Sequence, residues 1–185
     1  VIVGAGPNYQ LTAAALALSC AGLATALWQS DFALRYVATF TAANLPDTYR
    51  LSALWAGPAG SLLCSAALLG AVASAALVGR RRPPGVLAPW VAATLSLLLT
   101  FFIVLLVFGS SPFERLPFPP PEGRGLDPQL QNPAMALHPP VLLLGFAVSA
   151  VPFALVVAGL VTRRLDDAWF SELRRWTLLA WTLLL

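Results

Sequence analysis

His138 is the one histidine of this 185-residue chain. It is the side chain best suited to bind a transition metal or to carry a proton near neutral pH. Pro139 and Pro140 follow it directly. A proline holds the preceding residue in extended geometry and is tolerated in the first turn of a helix, so we predict that His138 lies just before a helix. A stiffly held neutral imidazole of this kind suits an axial ligand of haem iron.

No second metal ligand accompanies this histidine. Cys20 and Cys64 lie far apart in two apolar runs, which fits neither a CxxC motif nor the spacing of metal ligands, and we interpret both as small hydrophobic residues. Composition and spacing leave two interpretations of His138 open. It is either a metal ligand or an interfacial histidine that hydrogen-bonds a carbonyl group or a lipid headgroup.

The charged residues are few and clustered. Only 10% of the chain is charged and 58% is hydrophobic, whereas soluble domains have about 25% charged residues. Residues 51–79, 83–113 and 128–162 contain no charge, and each stretch exceeds the roughly 20 residues that cross a bilayer. This pattern excludes a soluble domain, a nucleic-acid binder and a disordered tail. It predicts a mainly α, polytopic transmembrane helical bundle.

We predict four complete membrane spans and one partial span, joined by two long outer loops. The spans cover about 10–29, 54–79, 87–109, 138–162 and 174 onward, and the outer loops cover 30–53 and 110–137. Because the chain opens on valine and closes within an apolar stretch, we expect residues 1–185 to be the N-terminal part of a longer multi-pass membrane domain.

Small residues recur four apart on two of the spans, which is typical of helices that pack closely within a membrane. The two predicted contact stripes are Ala13, Ala17, Ala21 and Thr25 on the first span, and Ala67, Ala71, Ala75 and Gly79 on the second.

Orientation follows from the arginines. Seven of the eleven basic residues lie in 80–82, 163–164 and 174–175. The positive-inside rule places these segments in the cytoplasm and the two long loops on the outer face.

The outer loops carry local structural signals. Residues 31–43 have the irregular apolar pattern of an interfacial helix or loop. Ser111, Pro112 and Glu114 have the spacing of a helix capping box. Asp127-Pro128 predicts a second cap, followed by a short helix over 129–132.

An ordered series of motifs over about residues 36–146 resembles the CcmF family, the membrane haem lyases of bacterial cytochrome c maturation. The series consists of Tyr36-Val37-Ala38, Asn44-Leu45-Pro46, Ser52 to Gly57, Gly60 to Leu63, Ser111 to Leu116, Gly123 to Leu126 and His138-Pro139-Pro140. The chain departs from the family pattern at Pro58 and Ala59, where that family usually has two polar residues.

The resemblance implies that His138 is an axial ligand of haem iron at an outward-facing site, positioned by Pro139 and Pro140. The family's partner histidines, its Trp-rich haem segment and the ligands of its structural b-type haem are absent from these residues and are expected beyond Leu185.

The resemblance also suggests that Trp55, Gly57, Gly60 and Arg124 shape the outer haem-binding surface. Trp55 has the alternative role of an interface anchor. Arg124 either binds a haem propionate or braces the loop by pairing with Glu122 or Asp127.

The implied activity is thioether formation between haem vinyl groups and the cysteines of an apocytochrome c CXXCH motif. The implied partners are the haem chaperone CcmE, apocytochrome c with thiol-handling proteins of the CcmH/CcmI type, and membrane lipid. The implied location is the cytoplasmic (inner) membrane, with the active face periplasmic. A polytopic solute transporter and a non-catalytic structural subunit of a respiratory or assembly complex stay open as alternatives.

Overall fold

A computed structural model describes residues 5–78 and 85–185. Seven α-helices occur in these residues: α1 (Ala5–Gln29), α2 (Arg35–Phe40), α3 (Asp47–Arg50), α4 (Pro58–Val78), α5 (Ala88–Val104), α6 (Pro133–Thr162) and α7 (Asp167–Leu184). Short 3₁₀ helices span Leu51–Trp55 and Pro128–Leu130, and a π-helical turn over Leu105–Gly109 extends α5. The described part of the chain contains no β-strand, only the isolated bridge between Leu34 and Arg115. The predicted fold class is confirmed.

Four of the helices are long and apolar enough to cross a membrane. They cover Tyr9–Gln29, Pro58–Val78, Ala88–Gly109 and Pro133–Thr162. Helix α7 carries four charged residues and is not among them. The chain is a multi-pass membrane protein.

The last two helices begin earlier than the predicted starts at 138 and 174. Helix α6 begins at Pro133, because the Asn132 side chain accepts a hydrogen bond from the amide of Ala134 at 2.9 Å and proline occupies the first helical position. Helix α7 begins at Asp167, where the Asp166 carboxylate accepts a hydrogen bond from the amide of Trp169 at 2.8 Å. Polar caps therefore determine both starts.

The second predicted span, 54–79, is interrupted near its outer end. The 3₁₀ helix ends at Trp55, and α4 begins only at Pro58. The arginine cluster at 80–82, on which the predicted orientation partly depends, lies outside the described residues.

Helices α1 and α4 contact each other through Ala13 of the first predicted stripe and through Gly70, which is outside the second predicted stripe. Ala17, Ala21, Ala71 and Ala75 are exposed, whereas Ala66, Gly70 and Ala73 are buried. At Gly70 an added Cβ would lie 3.3 Å from the Cα of Ala13. The missing side chain at 70 therefore allows the two backbones to approach closely.

Helix α7 runs back along α6 and is fixed at both ends. Near the turn between them, the Trp169 indole donates to the buried carbonyl of Leu155 at 2.9 Å, and Gly159 leaves the space that this indole occupies. At the other end, Leu184 packs against Gly145. Antiparallel helices in contact keep their register along their length, so α7 covers one face of α6.

The second outer loop lies along α2 and is tied to it by backbone hydrogen bonds. The amide of Arg35 donates to the carbonyl of Glu114 at 2.8 Å, and that of Arg124 donates to the carbonyl of Ala38 at 2.8 Å. Between these points, the amide of Leu116 donates to the carbonyl of Ala33 at 2.8 Å. The two outer loops thus form one folded layer at the end of the helix bundle.

One loop prediction is wrong because of this layer. The capping box at Ser111 does not start a helix, since the Glu114 carbonyl is held by α2 and the Ser111 hydroxyl accepts only the amide of Phe113 at 3.3 Å. The helix expected within 31–43 is present as α2, and its Tyr36 and Val37 are buried against the protein, while its position at the membrane interface stays a prediction. The cap at Asp127 is present and begins a 3₁₀ turn.

Candidate functional site

A tyrosine on α2 organises the outer start of α4. The buried Tyr36 hydroxyl donates to the carbonyl of Ala53 at 2.8 Å and accepts a hydrogen bond from the amide of Gly57 at 3.1 Å. Burial raises the pKa of Tyr36 well above its ordinary value, because the phenolate would lose its hydration. The neutral phenol therefore joins the 3₁₀ helix to the first turn of α4.

The two candidate glycines lie where these elements meet. A Cβ at Gly57 would collide with the Phe40 ring, and one at Gly60 would collide with the Tyr36 hydroxyl and the Leu54 carbonyl. Phe40 packs on Tyr36 with ring centroids 4.7 Å apart. Both glycines are thus needed for close packing of α2 against α4.

Trp55 belongs to the same cluster. Its carbonyl accepts the Ser61 hydroxyl at 2.8 Å. Its indole nitrogen is buried and has no hydrogen-bond partner among the described residues. An interface anchor would direct this N–H to water or headgroups, so the geometry of Trp55 favours a packing role in the outer layer.

Two clefts open on either side of Arg35. The first has a volume of about 470 Å³ and lies between α2, the start of α4 and the end of α5, with Phe108 and Glu114 on its wall. The second has a volume of about 500 Å³ and is lined by Phe118 and Arg124, among others. Arg35 borders both clefts and pairs with Glu114 at 3.0 Å. Exposed aromatic rings and a cation therefore flank each opening.

Arg124 does not brace the loop as one sequence interpretation proposed. Its guanidinium forms no ion pair with any described residue. Glu122 instead accepts hydrogen bonds from the amides of Ala43 at 2.7 Å and Gly123 at 3.2 Å. Only the Arg124 backbone is held in place, and its side chain is exposed to solvent at the second cleft.

His138 lies within α6 and not just before it, so the prediction of extended geometry is wrong. The helix starts five residues earlier at Pro133, and Pro139 and Pro140 are accommodated inside it. These prolines have no N–H to donate to the carbonyls four residues earlier, Met135 and Ala136, so two helix hydrogen bonds beside His138 cannot form.

The His138 imidazole is exposed and forms no hydrogen bond with a described residue. Its level in the bundle follows from a cavity that Ser65 and Leu69 share with residues 143–153 of α6. These residues of α4 and α6 therefore lie at the same level of the bundle. Because the two helices are parallel, moving the same distance towards the start of each helix puts His138 at about the level of Pro58. The histidine is therefore at the same end of the bundle as the folded outer loops.

The structure brings some predicted site residues together and leaves others apart. Trp55, Gly57 and Gly60 form one cluster around Tyr36, and the 3₁₀ helix that carries Trp55 contacts α6. Arg124 lies across α2 on the second cleft, and His138 is not among the residues that line either cleft.

The sequence did not indicate three residues that hold the layer of outer loops together. The motif that contains Tyr36 indicates no role for its hydroxyl group. Arg35 and Glu122 contact residues that are far from them in sequence, and no local pattern predicts such contacts.

The residues present fit a single axial bond to haem iron. Both imidazole nitrogens of His138 are free of protein partners in the described structure. No group of three or more histidine, cysteine or acidic side chains that could hold a metal ion occurs within residues 5–78 and 85–185. Among the described residues, His138 is therefore the candidate imidazole ligand for haem iron.

Comparison with known proteins identifies the family. The profile of the family described as "Cytochrome C assembly protein" matches residues 55–185. The chain is 39% identical over 171 residues to the cytochrome c-type biogenesis protein CcmF of Pseudomonas aeruginosa, covering 92% of this chain and 26% of that protein. It is 37% identical over 163 residues to CcmF of Escherichia coli K12, covering 88% and 25%.

Two further comparisons indicate the same family. The probable cytochrome c-type biogenesis protein NrfE of Escherichia coli K12 is 37% identical over 156 residues, covering 84% of this chain and 28% of that protein. A solved structure of "Cytochrome c Heme Lyase CcmF" superposes with a TM-score of 0.78 at 29% identity, covering 96% of this chain and 28% of that chain. The chain spans about a quarter of the length of these relatives. The predicted family is confirmed, and the chain belongs to the cytochrome c assembly proteins of the CcmF and NrfE type.

Proposed function

We propose that this chain takes part in cytochrome c maturation as the outer haem-handling part of a haem lyase. The observation that carries the proposal is the exposed imidazole of His138, which lies level with the outer layer and has no hydrogen-bond partner in the described protein. The names of the relatives, which include a cytochrome c haem lyase, support the same assignment.

The proposed location is the cytoplasmic (inner) membrane with the layer of outer loops in the periplasm. Arg163 and Arg164 directly follow the end of α6 at the opposite end of the bundle, and Arg174 and Arg175 lie about two turns into α7. The positive-inside rule assigns that end to the cytoplasm. This orientation puts His138 and both clefts on the periplasmic side.

The reaction we propose is the addition of the two cysteine thiols of an apocytochrome CXXCH motif to the two vinyl groups of haem. Each sulfur bonds the vinyl carbon next to the ring, and the thiol proton is balanced by the proton gained at the terminal carbon. Haem is the substrate and supplies the reactive vinyl groups. The protein contributes by holding haem and thiols in a fixed relative position.

His138 would fix the haem by bonding its iron. The ring would then be held at a defined height and tilt, which limits the directions in which thiols can reach the vinyl groups. Pro139 and Pro140 support this role, because each ring fixes one backbone dihedral immediately after the ligand. The remaining ligands, including those of a structural b-type haem, would come from other parts of the protein.

Two parts of the outer layer are proposed to support haem binding. Trp55, Gly57 and Gly60 lie in a closely packed cluster at the start of α4, where both glycines are buried, and would support the layer from within. The free guanidinium of Arg124 is able to pair with a propionate, and the exposed Phe118 ring lies on the same cleft. Haem presents both kinds of surface, an apolar ring and two carboxylates.

The proposed partners follow from this chemistry and from the family resemblance. A haem chaperone of the CcmE type would deliver the substrate, and apocytochrome c would present reduced thiols with the help of CcmH/CcmI-type proteins. Membrane lipid would surround the four apolar helices. The outer layer is the surface on which the soluble partners would dock.

The proposal is tested by replacing His138 in the whole protein with alanine. We expect the yield of holocytochrome c and the haem signal in reduced-minus-oxidised spectra to fall together. Leu137→Ala is the matched control, because Leu137 is the neighbouring residue and is 70% exposed. Wild-type yield in the His138 variant would refute the ligand role, and a wild-type protein that binds no haem would refute the proposed function.

A further inference from the structure

The first cleft lies where the membrane helices end and the outer loops begin. Its wall includes Val107 and Phe108, near the end of the apolar helix Ala88–Gly109, and Pro58, which begins the apolar helix Pro58–Val78. Val107 and Phe108 are 63% and 84% exposed. Apolar side chains exposed at the end of a membrane helix would face the acyl chains of the lipid. The first cleft therefore lies at the boundary between lipid headgroups and acyl chains.

The first cleft carries a positive and a negative side chain. Arg35 Nη2 lies 3.0 Å from Glu114 Oε1, and both side chains are about half exposed. A guanidinium has more N–H donors, and a carboxylate more acceptor positions, than this single contact uses. Ser110 also lines the cleft, and its hydroxyl forms no hydrogen bond with a described residue. The cleft is thus able to bind an anion and a cation side by side.

An apolar cavity of about 320 Å³ lies next to the first cleft. Val107 and Ser111 line both spaces. From there the apolar cavity extends to Leu16 of α1, Leu63 of α4 and Ile103 of α5. Leu63 is five residues into α4, which at 1.5 Å per residue is roughly 8 Å from the helix start. A polar cleft at the membrane boundary therefore adjoins an apolar space within the membrane region.

We propose that the first cleft and the apolar cavity together bind one phospholipid whose headgroup carries a primary ammonium, of the phosphoethanolamine class. The Arg35 guanidinium would pair with the phosphate, and the Glu114 carboxylate would accept hydrogen bonds from the ammonium. The Ser110 hydroxyl would donate to a phosphate oxygen, and an acyl chain would occupy the apolar cavity. The volume of the first cleft, about 470 Å³, is within the usual range of small-molecule sites.

The two charges select among the common headgroups. A headgroup with only a negative charge pairs with Arg35 but is repelled by Glu114. A choline headgroup has a positive charge but no N–H, so it cannot donate a hydrogen bond to the carboxylate. Haem propionates are anionic and likewise leave Glu114 without a cation. A zwitterionic headgroup with N–H donors is the one that satisfies both side chains.

The experiment measures the binding of defined lipids to the whole protein by native mass spectrometry, after the protein has been delipidated in detergent. The probes are phosphatidylethanolamine, phosphatidylcholine and phosphatidylglycerol with identical acyl chains. We expect phosphatidylethanolamine to bind about fivefold more tightly than the other two lipids, as expected for a half-exposed hydrogen bond between charged groups.

Two variants test the charged side chains. Glu114→Gln should remove the preference for phosphatidylethanolamine over phosphatidylcholine, and Arg35→Gln should weaken the binding of all three lipids. Asp47→Asn is the control for the acid, because Asp47 pairs with Arg50 at 3.0 Å and lines neither the cleft nor the cavity. Arg175→Gln is the control for the base, because Arg175 is 56% exposed and ion-paired on α7. Both controls should keep the wild-type preference.

A further pair of variants tests the apolar cavity. Ser19→Phe places a ring in the cavity from α1, whereas Gly22 lies on the same helix, does not line the cavity and has no atom within 4 Å of an added Cβ. Ser19→Phe should weaken lipid binding and Gly22→Phe should not. Glycerophosphoethanolamine, which has the same headgroup and no acyl chains, should compete only at a concentration at least about a hundredfold higher, since it buries no methylene groups.

Four results would overturn the proposal. The first is equal binding of the three lipids by the wild type, and the second is a Glu114→Gln variant that keeps the preference. The third is glycerophosphoethanolamine that competes as well as the intact lipid, which would assign the cleft to a soluble phosphate compound. The fourth is displacement of phosphatidylethanolamine by an equal concentration of haem, which would assign the cleft to haem.

Discussion

The Tyr36 hydroxyl donates a hydrogen bond to the carbonyl of Ala53 at 2.8 Å and so joins α2 to the segment that begins α4. The same oxygen accepts the amide of Gly57 at 3.1 Å. One side chain thereby satisfies backbone groups on both sides of the turn that carries Trp55. This contact helps to attach the outer layer to the membrane helices.

Replacing Tyr36 with phenylalanine should lower the stability of the outer layer. The change leaves the Ala53 carbonyl and the Gly57 amide without their buried partner, which costs about 1–3 kcal/mol. The check is the free energy of unfolding, or the unfolding midpoint in detergent. Tyr49→Phe is the matched control because the half-buried Tyr49 hydroxyl has no side-chain hydrogen bond in the described protein. Equal losses in both variants would contradict the role given to Tyr36.

The stability advantage of the wild type over Tyr36→Phe should disappear at high pH. Burial raises the pKa of Tyr36 in the folded protein, whereas the unfolded phenol titrates near its ordinary value of about 10. The unfolded state therefore loses its proton first, and stability falls as pH rises above about 10. Below that pH the difference between the two proteins should be constant. A constant difference from pH 8 to about 12 would show that the phenol is not buried as described.

Gly60→Ala should destabilise the protein, whereas Gly22→Ala should not. The methyl group at 60 would collide with the Leu54 carbonyl and the Tyr36 hydroxyl, and overpacking of this kind costs about 1–3 kcal/mol. Gly22 has no atom within 4 Å of an added Cβ, so alanine there should be neutral or stabilising by up to about 1 kcal/mol. Unfolding midpoints of the two variants check the difference. A stable Gly60 variant would mean that α2 and α4 pack less closely than the structure shows.

Gly123→Ala should release the second outer loop from α2. The added methyl group would collide with the Thr41 carbonyl and the Phe32 ring beside the backbone hydrogen bonds of Arg124 and Gly125. We expect faster hydrogen exchange at these two amides.

The matched comparison for the loop is Glu114→Gln, which removes the ion pair with Arg35. That pair is about half exposed on both sides and is worth at most about 1 kcal/mol. Exchange at the Arg124 and Gly125 amides should stay near the wild-type rate in this variant. A larger effect from Glu114→Gln than from Gly123→Ala would show that the ion pair, and not the backbone hydrogen bonds, holds the loop.

The membrane helices could be predicted from the sequence, because long charge-free runs have few alternatives to crossing a bilayer. The residues through which these helices pack could not be predicted from the sequence. The stripe Ala67, Ala71 and Ala75 and the observed buried set Ala66, Gly70 and Ala73 have similar composition and differ by about one residue in register. Only the contact of Gly70 with Ala13 selects one of them, and that contact joins distant parts of the chain.

For the candidate site, too, residue types could be predicted from the sequence, whereas contacts between distant residues could not. His138 could be singled out by residue type, but its backbone geometry was predicted wrongly. The local rule for residues before proline was overridden by the cap at Asn132 and by Pro133, which start the helix before the histidine is reached. The Tyr36 contact with Gly57 joins residues 21 positions apart, and no spacing rule indicates such a pair.

The central claim, that His138 bonds haem iron, is tested most directly by chemical rescue. The whole protein with His138→Ala is assayed for holocytochrome c yield with and without added imidazole, beside Leu137→Ala as the control. The account predicts a yield that falls at least about tenfold in the His138 variant, as expected for a lost positioning interaction, and that rises again with imidazole. A variant that keeps the wild-type yield, or one whose lost yield imidazole does not restore, would contradict it.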